Sequence, residues 1–139
     1  QTVKLYTRLS TKTNTPIVDP AKLIVGIPFY GREFKLESTG RVLLAKATSN
    51  STTYGNVYNN FISRNDGTVE LYRDNIAMVP YLYDSKNNIT ISYEDPQSIK
   101  DKVQYVKDNN LAGVMFWEYS QDHNDMLISS IYDNLIKNR

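Results

Sequence analysis

The chain has 139 residues, of which 40% are hydrophobic and 22% are charged, and its formal net charge is +1. This composition is ordinary for a globular domain, and the near balance of charge gives no basis for binding nucleic acid or an anionic membrane. The absence of cysteine excludes disulfides and thiolate catalysis, and no apolar run approaches the roughly 18 residues that cross a bilayer.

The first predicted elements are a helix and a buried strand. Leu5 and Leu9 are one helical turn apart, so residues 2–9 are predicted to form the end of a helix. After a polar stretch, "LIVGIPFYGR" at 23–32 has the length of a strand, and its alternate residues divide into an apolar set and a small or polar set. Pro28 disfavours complete pairing of this strand because proline has no N–H to donate.

The middle of the chain, residues 33–91, alternates short apolar pieces with turn-rich pieces. This pattern predicts a small, mainly antiparallel α+β unit with room for one short helix. Asp66-Gly67, between "NNFIS" and "TVELY", predicts a hairpin. A further apolar piece, "VLLAKA" at 42–47, is predicted to be extended.

Two helices and a strand are predicted in the last third. Asp95 is a suitable N-cap and Pro96 a suitable first helical residue, and Asn109-Asn110 can end that helix. "LAGVMFWE" at 111–118 is predicted to be a second buried strand, and "DMLISSIYDNLIKN" at 125–138 an amphipathic helix. The inward-facing residues are predicted to be Ile99, Val103 and Val106 in the first helix and Leu127, Ile128, Ile131 and Leu135 in the second. Without the middle unit, helices and strands alternate, which predicts a parallel α/β fold with an insertion.

Candidate functional residues follow both predicted parallel strands, because sites in such folds gather at the carboxyl ends of the strands. Period-two alternation places Met115 and Trp117 on one face and Glu118 on the other. If Trp117 faces a barrel mouth, Glu118 faces the surrounding helices and is a poor candidate for a catalytic acid. The alternative for Trp117 is an aromatic residue of the core.

Four segments carry a resemblance to a known family. In chain order they are "KLIVGIPFYGR", "MVPYLYD", "ISYEDPQSIKDKV" and "LAGVMFWEYSQD". They resemble the C-terminal part of a chitinase of glycoside hydrolase family 18. The resemblance implies an α/β fold, a partial (β/α)8 TIM barrel whose seventh and eighth strands and adjoining helices lie at 1–32 and 93–139. Residues 33–92 would form the inserted α+β unit known as the chitinase insertion domain.

The resemblance also implies a mechanism and a missing part. In this family the N-acetyl carbonyl of the sugar attacks the anomeric carbon, while a glutamate in a D-x-x-D-x-D-x-E motif on the fourth strand protonates the glycosidic oxygen. The nearest candidate here, "DHND" at 122–125, continues "MLIS" and supplies neither the third aspartate nor the glutamate. The chain is therefore expected to lack the catalytic residues and to need no cofactor. Its full protein is expected to act on chitin, secreted or at the cell surface, although no signal-peptide pattern opens this sequence.

The substrate-binding residues implied by the resemblance come from three places. Trp117 matches the tryptophan under the reacting sugar, and Met115 is its in-facing neighbour. Tyr30 and Arg32 match the "FYGR" residues that border the cleft. Asn56 takes the position of a carboxylate of the family and keeps a hydrogen-bonding group without the charge.

Two alternatives and two further expectations remain. The chain can instead belong to a catalytically inactive chitinase-like lectin, or it can be a free-standing carbohydrate-binding module. His123, the one histidine in the sequence, is expected to be an exposed loop residue or a helix cap rather than a metal ligand. Two barrel strands without their six partners would expose unpaired edges, so self-association is expected.

Overall fold

A computed structural model of the chain describes residues 2–37 and 46–137. Seven strands and four helices make up most of this part. The strands are β1 Ile24–Pro28, β2 Tyr30–Leu36, β3 Ala47–Thr53, β4 Val69–Asp74, β5 Val79–Asp84, β6 Ile89–Ser92 and β7 Gly113–Trp117. The helices are α1 Thr2–Thr7, α2 Tyr54–Val57, α3 Pro96–Asp108 and α4 Met126–Tyr132; π-helical turns at Tyr58–Ile62 and Asp133–Lys137 extend α2 and α4.

The two predicted buried strands, β1 and β7, form a parallel pair in which Ile24 lies opposite Gly113 and Pro28 opposite Trp117. Helix α3 precedes β7 in the chain and α4 follows it, as the alternation of elements predicted. The first strand is shorter than predicted. It ends at Pro28, and Tyr30 already belongs to a second sheet. The change of sheet occurs at Phe29, whose N–H bonds to the Trp117 carbonyl while its own carbonyl accepts from the Tyr54 N–H.

The second sheet is antiparallel and has five strands in the order β3-β2-β6-β5-β4. Its strands lie between Tyr30 and Ser92, which agrees with the predicted antiparallel character of the middle unit. Helix α2 and its π-helical extension supply the predicted short helical piece. The predicted extended piece at 42–47 falls mostly outside the described residues.

The predicted hairpin at Asp66-Gly67 is wrong. The segment "NNFIS" before it is helical rather than extended, because Val57, Phe61 and Ile62 pack into the core at helical spacing. Asp66 instead makes a local turn into β4, where its side chain accepts from the Thr68 N–H at 3.0 Å. The structure therefore pairs β4 with β5 rather than with the residues before Asp66.

Helix α3 begins and ends at the residues that the sequence predicted. The Asp95 side chain accepts from the Ser98 N–H at 2.7 Å, and the Ser98 hydroxyl accepts from the Asp95 N–H at 2.9 Å, which completes a capping box. Asn109 caps the other end. In α4, Leu127 and Ile131 are buried as predicted, while Ile128 and Leu135 pack at the edge of the core.

One hydrophobic core joins both sheets and both long helices. Its members are Ile27, Phe29, Tyr54, Val57, Leu82, Ile91, Tyr93, Ile99, Val103, Leu127 and Ile131. Because strands of the parallel pair and of the antiparallel sheet contribute to the same core, their junction near Phe29 is held firmly. Among the described residues, no helix has both the length and the apolar character needed to cross a bilayer.

Candidate functional site: an aromatic groove at the junction of two sheets

The parallel pair carries an open groove of about 270 Å³ on one face. Its register explains the shape, because Gly26 lies opposite Met115 and Pro28 opposite Trp117, so small residues on β1 sit beside large ones on β7. A Cβ atom at Gly26 would lie 3.7 Å from the Met115 Sδ. The groove is lined by Gly26, Ile27, Pro28, Tyr30, Met115 and Trp117.

Trp117 presents its indole to this groove and is 61% exposed. Met115, two residues earlier on the same face, is 51% exposed. The intervening Phe116 points to the other side and stacks on Phe29, with ring centroids 4.9 Å apart. The predicted alternation of β7 is confirmed, and within the described residues Trp117 is not a core aromatic.

Tyr30 and Arg32 extend the groove onto the antiparallel sheet. The Arg32 guanidinium carbon lies 5.6 Å from the centre of the Tyr30 ring, a cation–π arrangement. Gly31, between them, faces the core, and a Cβ there would come within 2.9 Å of the Ile91 Cγ2. Glycine at this position lets β2 approach β6 and α2 closely and leaves its two neighbours on the open face.

Asn56 is close to the groove along the backbone but is not one of its lining residues. It lies in α2, directly after β3, and its N–H donates to the Thr53 hydroxyl, the N-cap, at 3.1 Å. Thr53 pairs with Tyr30, and the Tyr54 N–H bonds to the Phe29 carbonyl at 2.9 Å. The exposed Asn56 is thus held beside the same junction as Trp117 and Tyr30.

Glu118, the residue after Trp117, is exposed, and its side chain accepts a hydrogen bond of 2.7 Å from the Ser120 hydroxyl. It therefore lies at the surface, bonded to its own loop.

The environment of His123 differs from the one expected. It is partly buried rather than exposed, and its ring stacks on Tyr58 with centroids 4.2 Å apart and planes 17° apart. The predicted capping of the last helix is carried by Asp122, whose carboxylate accepts from the Leu127 N–H at 3.1 Å and the Ile128 N–H at 2.9 Å. The stack joins residues 65 positions apart, and only the Tyr54–Tyr58 spacing on one helical face hinted at an aromatic cluster.

Two tyrosines of the core keep their hydroxyls protonated at neutral pH. Burial raises the pKa of Tyr54 far above its usual value, and the nearby Tyr93, Asp95 and Asp122 add to the shift. Burial also raises the pKa of Tyr93 to about 12. In the described ranges no group of three or more His, Asp or Glu side chains is placed to hold a metal ion. The groove is lined mainly by aromatic and apolar side chains, and the Arg32 guanidinium lies against Tyr30 at its edge.

Comparisons with known proteins identify the family of this chain. The sequence model of glycosyl hydrolases family 18 matches residues 1–122. Chitinase A1 of Niallia circulans is 34% identical over 128 residues, which cover 85% of this chain and 18% of that enzyme.

Solved structures of chitinases and of a chitinase-like protein also resemble this chain. The cell-surface-expressed chitinase ChiW of Paenibacillus sp. str. FPU-7 superposes with a TM-score of 0.78 at 39% identity, over 97% of this chain and 15% of that one. A mutant class V chitinase of Nicotiana tobaccum in complex with NAG4 has a TM-score of 0.75 at 26% identity, over 86% and 36%. A chitinase-like agglutinin of Robinia pseudoacacia has a TM-score of 0.69 at 29% identity, over 86% and 34%.

The chain spans only a part of each of these relatives, 18% of the Niallia enzyme and at most 36% of the three solved chains. The family match covers most of the chain, and it includes both strands of the parallel pair and the groove between them. The chain belongs to family 18 of the glycosyl hydrolases.

Proposed function

We propose that this chain is the C-terminal, substrate-binding part of a barrel chitinase. In this proposal β1 and β7 are the seventh and eighth strands of a (β/α)8 barrel, and α1, α3 and α4 are its sixth, seventh and eighth helices. Residues 33–92 are the insertion domain, and residues 1–32 and 93–139 belong to the barrel. The parallel pairing of β1 with β7 and the antiparallel sheet between them in sequence support a barrel part and an inserted part, with β2 beginning at Tyr30, three residues before the proposed boundary.

The observation that carries the proposal is the groove in which Trp117, Met115 and Tyr30 meet beside the carboxyl ends of two parallel strands. A tryptophan with most of its ring exposed offers a flat apolar surface to the C–H face of a sugar. Arg32 and Asn56, exposed at the same junction, offer donors for hydroxyl and acetamido groups. N-acetylglucosamine has an apolar C–H face, hydroxyl groups and an acetamido group. The Nicotiana relative was solved in complex with NAG4.

In the full protein, hydrolysis of a β-1,4 linkage would follow the substrate-assisted, retaining route. The acetamido oxygen of the sugar attacks the anomeric carbon as a glutamic acid donates its proton to the departing oxygen, and water then opens the cyclic intermediate. Trp117 forms the floor under the reacting sugar and Tyr30 and Arg32 border it. The proton donor is not among these 139 residues, so this chain contributes binding and orientation rather than acid catalysis.

The experiment compares binding with turnover. Titration of the chain with the N-acetylglucosamine tetrasaccharide, followed by NMR, should perturb Trp117 and Tyr30, and the chain should release no chromophore from a chromogenic chitobioside. The longer natural protein that carries this chain should cleave that substrate. Failure of the tetrasaccharide to bind would overturn the assignment of the groove, and turnover by the chain alone would overturn the assignment of the acid to another part of the protein.

A catalytically inactive lectin is the second candidate. One observation favours it: the chitinase-like agglutinin of Robinia pseudoacacia shares the fold. Both candidates use the same groove. They are distinguished by the residue that ends the fourth strand of the longer protein: glutamate with measurable chitin hydrolysis supports the enzyme, and glutamine or leucine without hydrolysis supports the lectin.

We place the longer protein outside the cell or on its surface, because chitin is an insoluble extracellular polymer. One relative of this chain, ChiW, is described as cell-surface-expressed. Labelling of intact cells with an antibody to this chain, or its recovery from the culture medium, would test the location. Recovery only from the cell interior would contradict it.

A further inference from the structure

The loop that follows Trp117 is fastened to the turn that carries Asn56. Six residues after Trp117, the His123 ring stacks on Tyr58 at a centroid distance of 4.2 Å. Tyr58 follows α2 directly and also contacts Tyr54, with ring centroids 6.4 Å apart. The segment that follows Trp117 and the segment that contains Asn56 are therefore joined by one aromatic stack.

Both sides of this connection are fixed independently. On the loop side, the Asp122 carboxylate accepts from the N–H groups of His123, Leu127 and Ile128, which ties the loop to the start of α4. On the α2 side, the buried Tyr54 is bonded to Phe29 through its N–H. The His123–Tyr58 stack is the side-chain contact that bridges the two anchored segments.

The backbones also approach closely where the two segments meet. A Cβ atom on Gly55 would lie 3.3 Å from the Asp122 carbonyl oxygen, which is tighter than ordinary van der Waals contact. Gly55 is the immediate neighbour of Asn56. A shift of the loop would therefore be transmitted to the residue that carries the amide, because little free space separates them.

We propose that His123 is a positioning residue for the sugar groove: its stack on Tyr58 holds Asn56 at a fixed place relative to Trp117. The ring itself does not touch substrate in this proposal. It acts by keeping the amide of Asn56 where it can bond to a sugar whose neighbour lies on Trp117. This inference rests on the proposed function. His123 positions a sugar-binding residue only if the groove binds N-acetylglucosamine oligosaccharides.

The test is a double-mutant cycle on tetrasaccharide affinity, measured with the chain. His123→Ala should weaken binding roughly 3- to 10-fold, the lower part of the range expected for residues coupled through one connected set of contacts. The same substitution in an Asn56→Ala background should have almost no effect, since the group that His123 positions is already gone. His123→Phe should restore the affinity because a flat ring can stack on Tyr58, and Tyr132→Ala, an exposed aromatic on α4, serves as the control without effect.

The outcomes separate this inference from the proposed function. Equal losses for His123→Ala with and without Asn56 would overturn it, because a purely structural role acts the same in both backgrounds. An unchanged affinity in His123→Ala, with Trp117→Ala still weakened, would also overturn it and leave the groove intact. If the native chain does not bind the tetrasaccharide, the proposed function fails first.

The chain offers a spectroscopic check that does not depend on the stability of the Ala variant. His123 is the one histidine in the sequence, so its imidazole proton signals are unambiguous. Stacking on Tyr58 should shift these signals upfield, Tyr58→Leu should abolish the shift, and the tetrasaccharide should perturb it in the native chain but not in Asn56→Ala. Signals at ordinary positions in the native chain would contradict the stack and the proposal.

Discussion

At the scale of single residues, Trp117 and Phe116 are sequence neighbours that lie on opposite faces of β7, and Phe116 is the less exposed of the two, at 37%. Trp117 is 61% exposed in the groove, whereas Phe116 stacks on the buried Phe29. We expect Trp117→Ala to weaken binding of an N-acetylglucosamine oligosaccharide by about 1–3 kcal/mol, the scale of a lost stacking platform, with little change in the free energy of unfolding. Calorimetric titration and urea unfolding measure the two quantities.

Phe116→Ala is the matched control for that substitution. It removes the stack on Phe29 and should lower the free energy of unfolding by about 1–3 kcal/mol while the sugar affinity of the folded protein changes less. If Trp117→Ala lowers stability and leaves affinity unchanged, the assignment of Trp117 to a binding surface is wrong.

Two glycines near the groove differ in the space around them. A Cβ at Gly31 would meet the Ile91 Cγ2 at 2.9 Å and the Ser92 carbonyl oxygen at 3.2 Å, whereas a Cβ at Gly26 would make only an ordinary contact with Met115. We expect Gly31→Ala to lower the free energy of unfolding by about 1–3 kcal/mol through overpacking. Gly26→Ala should leave stability unchanged within about 0.5 kcal/mol. Urea unfolding of both variants checks this difference, and equal stabilities would contradict it.

At the scale of elements, the sequence was sufficient where local signals agreed with one another. Asp95 and Pro96 both favour a helix start at the same place, and α3 begins there. Asp66-Gly67 misled because its turn chemistry serves the start of β4, while the core contacts of Val57 and Phe61 made the preceding segment helical. The Asp66-Gly67 dipeptide alone does not show that the residues before it pack into the core as a helix.

The candidate site, too, could be predicted from local sequence patterns only in part. Period-two alternation was enough to orient Trp117, because β7 is a regular strand and the intervening Phe116 stacks on Phe29. The His123–Tyr58 stack depends on how α2 meets the loop after β7, and that contact follows from tertiary packing. The sequence pattern of neither segment identifies the partner of His123.

An ion network ties the π-helical turn to the antiparallel sheet and makes this unit sensitive to acid. Arg64 donates to Asp84 at 2.8 Å, and the fully buried Asp84 also accepts from the Asn87 side chain at 2.7 Å. Burial alone would raise the pKa of Asp84, but the hydrogen bonds from Asn87 and Arg64 outweigh it and hold the pKa below its ordinary value. The pKa of Asp66 is lowered by bonds from Thr68 and Arg64.

A lowered carboxyl pKa stabilises the folded state above the ordinary pKa of aspartate, and this contribution is lost as the pH falls through the folded value. We therefore expect the free energy of unfolding to fall as the pH drops from about 5 towards 2. Asp84→Asn should lower stability at neutral pH by about 3 kcal/mol, because it leaves Arg64 partly unpaired, and should flatten the acid dependence. Urea unfolding at several pH values measures both, and an equally steep pH profile in the variant would contradict the assignment.

At the scale of the whole molecule, the groove is built on a sheet with only two strands. Within the described residues β1 pairs with β7 alone, so each strand has one edge without a partner. Ile24 on β1 is 59% exposed and Met115 on β7 is 51% exposed. An apolar strand with free N–H and C=O groups is a template for pairing with another chain. In the longer protein proposed above, neighbouring barrel strands would occupy these edges.

For the chain by itself, we expect self-association that grows with concentration. Ile24→Lys places a charge on the exposed edge strand and should shift the chain towards monomer, because association would bring the ammonium out of water without a partner of opposite charge. Ile76→Lys is the matched control, since Ile76 is 96% exposed in the turn between β4 and β5 and lies outside both sheets. Sedimentation velocity over a range of concentrations measures the outcome. A monomeric native chain, or an equal effect of both lysines, would mean that the edges of β1 and β7 do not drive assembly.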